Sequence, residues 1–283
     1  MGATLFRFES CRAHHPKDQT VPKLKGRGTF CWVIEIQRLL SPVKVSLIIP
    51  AFNEERLLAT SLAAITRAAT SFSRRGWEWE LIVCDNNSTD RTAEIARLSG
   101  ATVVFEPFNQ IARARNTGAS FAIGDWLIFI DADSEPSPEL FTETADQIES
   151  GKILAGGAIL GIDETTLFAR FVAASWNRIS RWGRWLAGSY IFVDAQAFRG
   201  LGGFSYDWFA AEEIELCHRL KRLARKQRRK IIILHRYPLK TSTRKATLYS
   251  PWEMARFILR TVFTGGRSLR NRDAAHLWYD GRR

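Results

Sequence analysis

The sequence lacks long hydrophobic runs, paired cysteines and a glycine-rich nucleotide loop. Each absence argues against one class of protein. No stretch of 18 or more uncharged apolar residues occurs, so no segment has the length and hydropathy of a membrane-spanning helix. The 4 cysteines are scattered, without Cys-x-x-Cys pairs or the spacing of a disulfide framework, which favours a reducing compartment. The absence of a Gly-x-Gly-x-x-Gly loop argues against a dinucleotide-dependent dehydrogenase.

Acidic residues are scarce relative to basic ones. Lys and Arg total 41 against 29 Asp and Glu, a net charge of +12, which predicts an anionic partner such as a nucleotide or a phospholipid surface. Most of the residues in the run 221–230 are cationic. Such a run is typical of a solvated helix end, and contact with an anionic membrane is the second interpretation. No recognised nucleic-acid-binding module accompanies the charge, so nucleic acid is not an expected partner.

Trp and Arg also cluster at 176–185, and a similar aromatic and basic mixture occurs at 252–259. These segments either extend an interfacial face or form part of the core or of an acceptor-site wall. The composition therefore predicts a cytoplasmic protein, and the membrane interpretation adds peripheral attachment to the inner face of a membrane.

Residues 1–42 carry little periodicity. Their one apolar run, 29–34, is short and is interrupted by Glu35, unlike the hydrophobic region of a signal peptide. We expect this segment to be a poorly ordered N-terminal extension.

From Val43 onward, short apolar runs alternate with helical patterns. The predicted strands are 45–50, 79–84, 101–105 and 126–130, and the helical stretches between them have apolar faces, with Gly100 as one helix stop. Continuous hydrophobic strands alternating with helices predict βαβ units and a mainly parallel sheet covered by helices on both faces. Further along, strands are predicted at 188–194 and 230–234, a sharp turn at 202–203 and a helix from 212.

Polar clusters follow three of the predicted strands. Asn53 and Glu54 follow the first strand, Asp85 ends the second, and Asp131 and Asp133 follow the fourth. Because ligands bind beyond the carboxyl ends of parallel strands, these residues are expected to form one site. Two carboxylates spaced i, i+2 suit a hard divalent ion that takes its remaining ligands from water and phosphate. The alternative is that these side chains cap turns and helices.

Six short motifs occur together in one order along residues 43–245. The ordered set resembles family 2 glycosyltransferases, inverting enzymes of the GT-A fold that use nucleotide-diphosphate sugars. The resemblance implies a single catalytic domain over 43–283, with a nucleotide-binding half at 43–133, an acceptor half at 134–250 and a C-terminal helical tail at 251–283. The motifs are Val45–Glu54, Asp85–Asp90, Ala114–Gly118, Asp131–Asp133, Gly202–Phe204 and Glu212–Leu216.

The resemblance also implies residue roles on the donor side. Asn53, Glu54 and Asp85 match positions of nucleotide contacts. Arg115 lies inside the Ala114–Gly118 motif and is the preferred phosphate ligand over Arg113, which we expect to face solvent. Asp131 and Asp133 would hold Mg²⁺ or Mn²⁺ on the diphosphate, two ions that oxygen ligands do not distinguish.

Arg244 is a second candidate contact for the diphosphate, because it lies in a Ser/Arg stretch after the last predicted strand. His235, a lone histidine ending that strand, is a weaker candidate for a third metal ligand, since such residues are more often structural.

On the acceptor side, the family's general base is usually an aspartate at the position of Glu213. The extra methylene of glutamate moves the carboxylate by about 1.5 Å, and a misplacement of about 1 Å can cost on the order of 100-fold in rate. Glu213 is the predicted general base, with the local backbone compensating for its extra length. The alternatives are that Glu212 or Glu215 acts instead or that catalysis is weak. A purely structural interpretation is that the three glutamates favour a helix N-terminus.

The predicted function is metal-dependent, inverting transfer of a sugar from a nucleotide-diphosphate donor to a hydroxyl acceptor. The acceptor is unknown, with lipid-linked molecules and polysaccharides as candidates. A nucleotidyltransferase is the rival enzyme, because its sheet and metal carboxylates would look alike. A non-catalytic nucleotide-sugar-binding or membrane-associated protein is the rival outside catalysis.

Overall fold

Apolar runs bounded by turn residues form six of the eight strands where the sequence predicts them. The last of these continues from its predicted end at 234 to Thr241, so His235 lies within it. The computed structural model describes residues 42–161, 174–175, 177–178, 180–242 and 267–271, which belong to one compact unit. The strands are β1 Lys44–Ala51, β2 Glu78–Asp85, β3 Thr102–Phe105, β4 Trp126–Ile130, β5 Ser134–Glu135, β6 Ile153–Gly161, β7 Tyr190–Asp194 and β8 Lys230–Thr241. The helices are α1 Leu58–Ser73, α2 Thr92–Leu98, α3 Ile111–Phe121, α4 Pro138–Glu149, α5 Ala195–Gly200 and α6 Glu212–Lys226, and a 3₁₀ turn spans Arg267–Arg270.

Within the described residues the strands form one eight-stranded sheet in the order β3-β2-β1-β4-β7-β6-β8-β5. Strands β1 to β4 pair in parallel. Strand β7 runs antiparallel to both β4 and β6, β8 is parallel to β6, and β5 is antiparallel to β8. The α/β prediction is confirmed, and the parallel arrangement holds for the first four strands, whereas the remainder of the sheet is mixed.

Two apolar cores cover the two faces of this sheet. Alternate residues of β1 separate between them, with Leu47 in one core and Ile48 in the other, as expected for side chains that alternate along a strand. Helices α1, α2 and α4 pack on the first face and α3, α5 and α6 on the second. Helices α3 and α6, which carry the predicted phosphate ligand Arg115 and the predicted general base Glu213, therefore share one face.

Glycines set several of the local features. Gly100 ends α2 with φ +79°, and Gly202 and Gly203 have φ +77° and +70° in the predicted sharp turn, a conformation that costs glycine little. The sequence patterns do not predict strand β6, which contains Gly156 and Gly157. A Cβ on Gly156 would collide with the ring of Phe192 on β7, so this strand depends on a partner distant in sequence.

Several predictions fall on residues that the structure does not describe. The proposed extension at 1–42 lies outside the described residues except for Pro42, as do Arg244 and most of the tail at 251–283. In the part of the chain that is described, no helix is both long enough and apolar enough to cross a bilayer.

Candidate active site

A cleft of about 320 Å³ opens where β1 and β4 end, beside the N-terminus of α6 and the segment leading into β7. It brings together six of the predicted site residues, which come from four separate parts of the sequence. They are Glu54, Arg115, Asp131, Asp133, Glu212 and Glu213. Other parts of its wall include Phe52, Asn86, Asn109, Leu160, Gly188 and Ser189.

The two aspartates flank a tight turn at the end of β4. The backbone N–H of Asp131 donates to the carbonyl of Ser189, and Ser134 donates its N–H back to the Asp131 carbonyl. The side chain of Thr241 donates to Asp133 Oδ1 at 3.4 Å. Ala132 between them is buried, so the turn is packed below while both carboxylates line the cleft.

Arg115 joins the turn at Asp131–Asp133 to the glutamates of α6. Its Nη1 donates to Glu212 Oε1, and its Nη2 donates to Asp131 Oδ1 at 3.1 Å and to the carbonyl of Gly188 at 2.9 Å. The guanidinium also lies 5.3 Å from the ring centroid of Phe204. The Arg115 and Glu212 side chains are only 3% and 4% exposed. Arg115 therefore holds two carboxylates in place, a structural function that the sequence does not predict.

The three glutamates of α6 have different surroundings. Glu212 is buried against Arg115, and Glu215 pairs with Arg219 at 2.6 Å, away from the cleft lining. Glu213 is half-buried in the cleft wall. Of the three, Glu213 is the one that both lines the cleft and remains partly exposed, so its carboxyl can contact a ligand.

The same surroundings perturb both cleft glutamates. Burial raises the pKa of the Glu213 carboxyl to about 8, the negative charge of Glu212 adds to the rise, and Arg115 opposes it. Burial likewise raises the pKa of Glu212, against the lowering effect of Arg115. Glu212, Asp131 and Glu213 share one buried cation, so Glu213 takes up a proton more readily than an ordinary glutamate.

Gly188 permits the close approach of these groups. A Cβ at this position would lie 3.1 Å from Arg115 Nη2 and 3.7 Å from Glu213 Cδ. Sequence reasoning identified Gly188 only as the start of a predicted strand. The signal that marks it as a site residue is the proximity of a distant arginine and glutamate, which a single sequence does not reveal.

Of the predicted nucleotide contacts, Glu54 lines the cleft, whereas Asn53 and Asp85 do not. Asn53 has φ +52°, donates its N–H to Ser88 Oγ, and accepts from the N–H of Thr89 at 2.8 Å. Asp85 Oδ1 accepts the N–H of Ser88 at 3.1 Å. Both side chains brace the turn after β2, and neither is a helix N-cap. Their contact with a nucleotide stays a prediction.

Arg113 and His235 have surroundings other than those considered from sequence. Arg113 is partly exposed and packs against surface rings, so it is not fully solvated as expected. Its guanidinium lies 4.8 Å from the ring centroid of Phe108 and 4.5 Å from that of Tyr206, and its Nε donates to Gln110. His235 is exposed near Glu143, outside the cleft lining.

The chemistry of the cleft fits a hard divalent cation. Within the described ranges no group of three or more His, Cys, Asp or Glu side chains forms a closed metal site. Two carboxylates remain, Asp131 and Asp133, and Mg²⁺ or Mn²⁺ commonly uses one or two carboxylates together with water and substrate phosphate. A site completed by a diphosphate substrate matches this donor set, whereas a metal cage built only from protein does not.

Comparison with known families identifies the chain. The model of glycosyl transferase family 2 matches residues 46–202, more than half of the sequence. That match contains most of the motifs that suggested the family, and ends ten residues before Glu212.

Curated relatives match over shorter segments. One is 4,4'-diaponeurosporenoate glycosyltransferase from Staphylococcus haemolyticus, 40% identical over 102 residues that cover 34% of this chain and 25% of the relative. Another is dolichol-phosphate mannosyltransferase from Pyrococcus furiosus, 31% identical over 124 residues, or 41% and 33% of the two chains. The matched segments span about a quarter to a third of these relatives.

Solved structures share the fold over most of the chain. Mannosyltransferase PcManGT from Pyrobaculum calidifontis, in complex with GDP-Man and Mn²⁺, has a TM-score of 0.60 at 18% identity, covering 85% of this chain and 70% of that one. Glucosyl-3-phosphoglycerate synthase from Mycobacterium tuberculosis, in complex with Mn²⁺, UDP and phosphoglyceric acid, has a TM-score of 0.54 at 20% identity, covering 82% and 80%. These likenesses confirm the GT-A-type architecture predicted from the sequence.

Proposed function

The chain belongs to glycosyl transferase family 2, and from that premise we propose that it transfers a sugar, with inversion, from a nucleotide-diphosphate donor to a hydroxyl acceptor. The observation that carries the proposal is the convergence of Asp131, Asp133, Arg115 and Glu213 on one cleft beyond the strand ends. This set provides a site for a diphosphate and a separate carboxylate for the acceptor.

The donor side would be formed by the ends of β1 and β4. Glu54 lies at the cleft wall for contact with the nucleoside, and we propose the same for Asn53 and Asp85 through the turn that they brace. Arg115 is committed to Asp131 and Glu212, so its favourable charge would act on the diphosphate across the aspartate rather than as a free phosphate clamp. Arg244 remains a candidate for direct phosphate contact.

Asp131 and Asp133 would hold Mg²⁺ or Mn²⁺ together with the donor phosphates. When bound, such an ion neutralises charge on the nucleoside diphosphate leaving group. Both structural neighbours described above contain Mn²⁺, which supports the choice of ion class for this chain.

Glu213 would act as the general base. In the transfer step, the acceptor oxygen forms a bond to the anomeric carbon while the bond from that carbon to the phosphate oxygen breaks. The hydroxyl proton passes to the Glu213 carboxylate. The raised pKa of Glu213 makes it a better proton acceptor than an ordinary glutamate once it is ionised.

The hydroxyl acceptor would approach from the side of α6 and the segment before β7. Two relatives are named for lipid-linked acceptors, the dolichol-phosphate mannosyltransferase above and a diphosphoundecaprenol glucosyltransferase from Escherichia coli. We therefore favour a lipid-linked acceptor over a polysaccharide.

A donor screen tests this proposal. UDP-, GDP- and dTDP-sugars are added with Mg²⁺ or Mn²⁺, and thermal stability and nucleoside-diphosphate release are measured together. We expect one nucleotide to stabilise the protein in a metal-dependent way, and Asp133→Ala to lose that stabilisation. Glu139→Ala, which removes an exposed carboxylate from α4, is the matched control and should keep it.

The outcomes separate the rival functions. Release of pyrophosphate instead of a nucleoside diphosphate would indicate a nucleotidyltransferase. Donor binding without turnover on any acceptor would indicate a non-catalytic binding protein. Absence of stabilisation by every donor, in a folded protein, would contradict the donor site itself.

A further inference from the structure

We propose that a surface formed by residues 181–184 and the outer side of helix α6 docks the protein onto an anionic membrane. The surface, called the Trp182 surface below, comprises Arg181, Trp182, Arg184, Arg222 and Arg225. The proposal rests on the proposed function and adds an anionic membrane as a partner. It can be tested separately, because membrane binding is measured without turnover.

The first observation is the exposure of a large apolar side chain. Trp182 is 92% exposed, whereas tryptophan side chains are usually well buried. Arg181 and Arg184 on either side of it are also exposed. An exposed Trp flanked by arginines is the combination found where proteins enter the interfacial region of a bilayer.

The second observation is that this segment lies directly against α6. Lys221 donates its Nζ to the carbonyl of Gly183 at 2.7 Å, and its ammonium lies 5.7 Å from the ring centroid of Trp185. The rings of Trp185 and His218 are 6.1 Å apart. The loop and the side of α6 that carries His218 and Lys221 therefore form one continuous surface.

Helical spacing extends that surface along α6. Arg222 lies one turn beyond His218, and Arg225 lies one turn beyond Lys221. Both arginines are exposed, and among the described residues neither they nor Arg181 and Arg184 form an ion pair. By contrast, Lys221 and Arg229 of the basic run are engaged in the fold, since Arg229 bonds Asp194 and the carbonyl of Ile153.

The third observation is the scarcity of compensating acid, since Glu215, one turn before His218 on α6, is already paired with Arg219. No Asp or Glu occurs at 174–193 or at 216–242, which include the whole of the Trp182 surface. This part of the molecule consequently presents cations around an apolar anchor. An anionic lipid surface complements both properties, because lipid head groups attract the arginines while the interface accepts the indole.

The location links the surface to the cleft. The segment that carries Trp182 continues directly into Ala187, Gly188 and Ser189 of the cleft wall, and α6 begins with Glu212 and Glu213. Docking through this surface would place the acceptor side of the cleft towards the bilayer. A lipid-linked hydroxyl could then reach Glu213 without leaving the membrane.

Vesicle co-sedimentation of the full chain tests the proposal. Vesicles of phosphatidylcholine alone are compared with vesicles that also contain phosphatidylglycerol. We expect binding only to the anionic vesicles, weakening as NaCl increases. The double variant Arg222→Gln/Arg225→Gln should lower the apparent affinity roughly 25-fold, at about fivefold for each cation removed. Trp182→Ala should lower it roughly tenfold.

Matched controls lie on the opposite face of the sheet. Arg67→Gln/Arg97→Gln removes two exposed cations from α1 and α2, and Leu98→Ala truncates an apolar side chain that is 78% exposed. We expect both to bind vesicles like the wild type. Equal losses in the control and test variants would show attraction by net charge alone and would overturn the proposal.

Two further results would also overturn it. One is a lack of binding to anionic vesicles at low salt. The other is binding of a double-stranded oligonucleotide at an ionic strength where vesicles do not bind, which would assign the surface to nucleic acid. Donor-induced thermal stabilisation is measured on every variant, so loss of the donor site and loss of membrane binding are distinguished.

Discussion

The two halves of the sheet contribute to the cleft in different ways. In the first half, strands β1 to β4 are parallel, and the site residues Glu54, Asp131 and Asp133 lie in short turns directly after their strands. In the second half the strands run in mixed directions. Gly188 lies in the segment before β7 and Glu213 lies in the first turn of α6, and both reach the cleft through contacts with residues distant in sequence. The proposed donor side is thus built locally, whereas the proposed acceptor side depends on long-range contacts.

Helix α3 and the residue before it make several of those long-range contacts. Gln110, just before the helix, donates to the carbonyls of Tyr206 and Trp208, Arg115 pairs with Glu212, and Asn116 bonds both backbone groups of Phe204. Arg115 and Asn116 of the Ala114–Gly118 motif therefore connect α3 to the proposed acceptor side of the cleft. The following predictions separate the two halves, beginning with the largest effect.

Glu213→Gln should abolish most turnover while leaving the donor half intact. Loss of a general base typically lowers the rate by about 10²–10⁴-fold, so kcat should fall by that factor while donor-induced thermal stabilisation persists. Glu215→Gln is the control, because Glu215 pairs with Arg219 outside the cleft lining, and it should keep nearly full activity. If Glu213→Gln were active and Glu212→Gln inactive, the base would have to be reassigned to Glu212.

Arg115→Met should disturb both halves together. The substitution leaves Glu212 buried without its cation, and breaking a buried ion pair typically costs about 3–5 kcal/mol. Chemical denaturation should show this loss. The double variant Arg115→Met/Glu212→Gln should recover much of it, because the fully buried glutamate is then neutral. If the single variant were as stable as the wild type, the pair would not couple the halves.

The sequence predicts the donor half well because its signals are local. Apolar runs mark β1 to β4, and Asp131 and Asp133 follow β4 directly, so strand order alone brings them to the ligand-binding edge. The sequence predicts neither strand β6 nor the role of Gly188 in the cleft. The need for glycine arises from a side chain distant in sequence, Phe192 beside Gly156 of β6 and Arg115 beside Gly188. The role of Arg115 was predicted as a phosphate contact, since nothing local indicates that Glu212, 97 residues away, is its partner.

Asn116→Ala should weaken the attachment of the acceptor half by a smaller amount. The side chain accepts the N–H of Phe204 at 2.9 Å and donates to its carbonyl at 2.8 Å, and leaving both groups unsatisfied should cost about 2–3 kcal/mol. Ser120→Ala on the exposed side of α3 should cost little.

Gly203→Ala, whose Cβ would lie 2.5 Å from Asn116 Oδ1, should be non-additive with Asn116→Ala in unfolding experiments. Strict additivity would show that the two changes act on separate contacts.

The smallest effect expected is a pH dependence of stability that comes from the acceptor side alone. In the folded protein the pKa of Glu213 is raised from 4.5 to about 8. Between these values the folded state holds a proton that the unfolded state releases, so the free energy of unfolding falls as pH rises through this window. The shift is lessened by the partial exposure of the side chain, and we expect about 1–2 kcal/mol in total.

Comparison of the wild type with Glu213→Gln isolates this contribution, because other titrating groups are common to both proteins. Denaturation without divalent metal should show the variant gaining stability relative to the wild type as the pH is raised from 4.5 to 8. Asp133→Asn, a change on the donor side, should not reproduce that gain. A wild-type curve parallel to that of Glu213→Gln would mean that Glu213 titrates normally, and the carboxylate would then be a weaker base than its burial beside Glu212 implies.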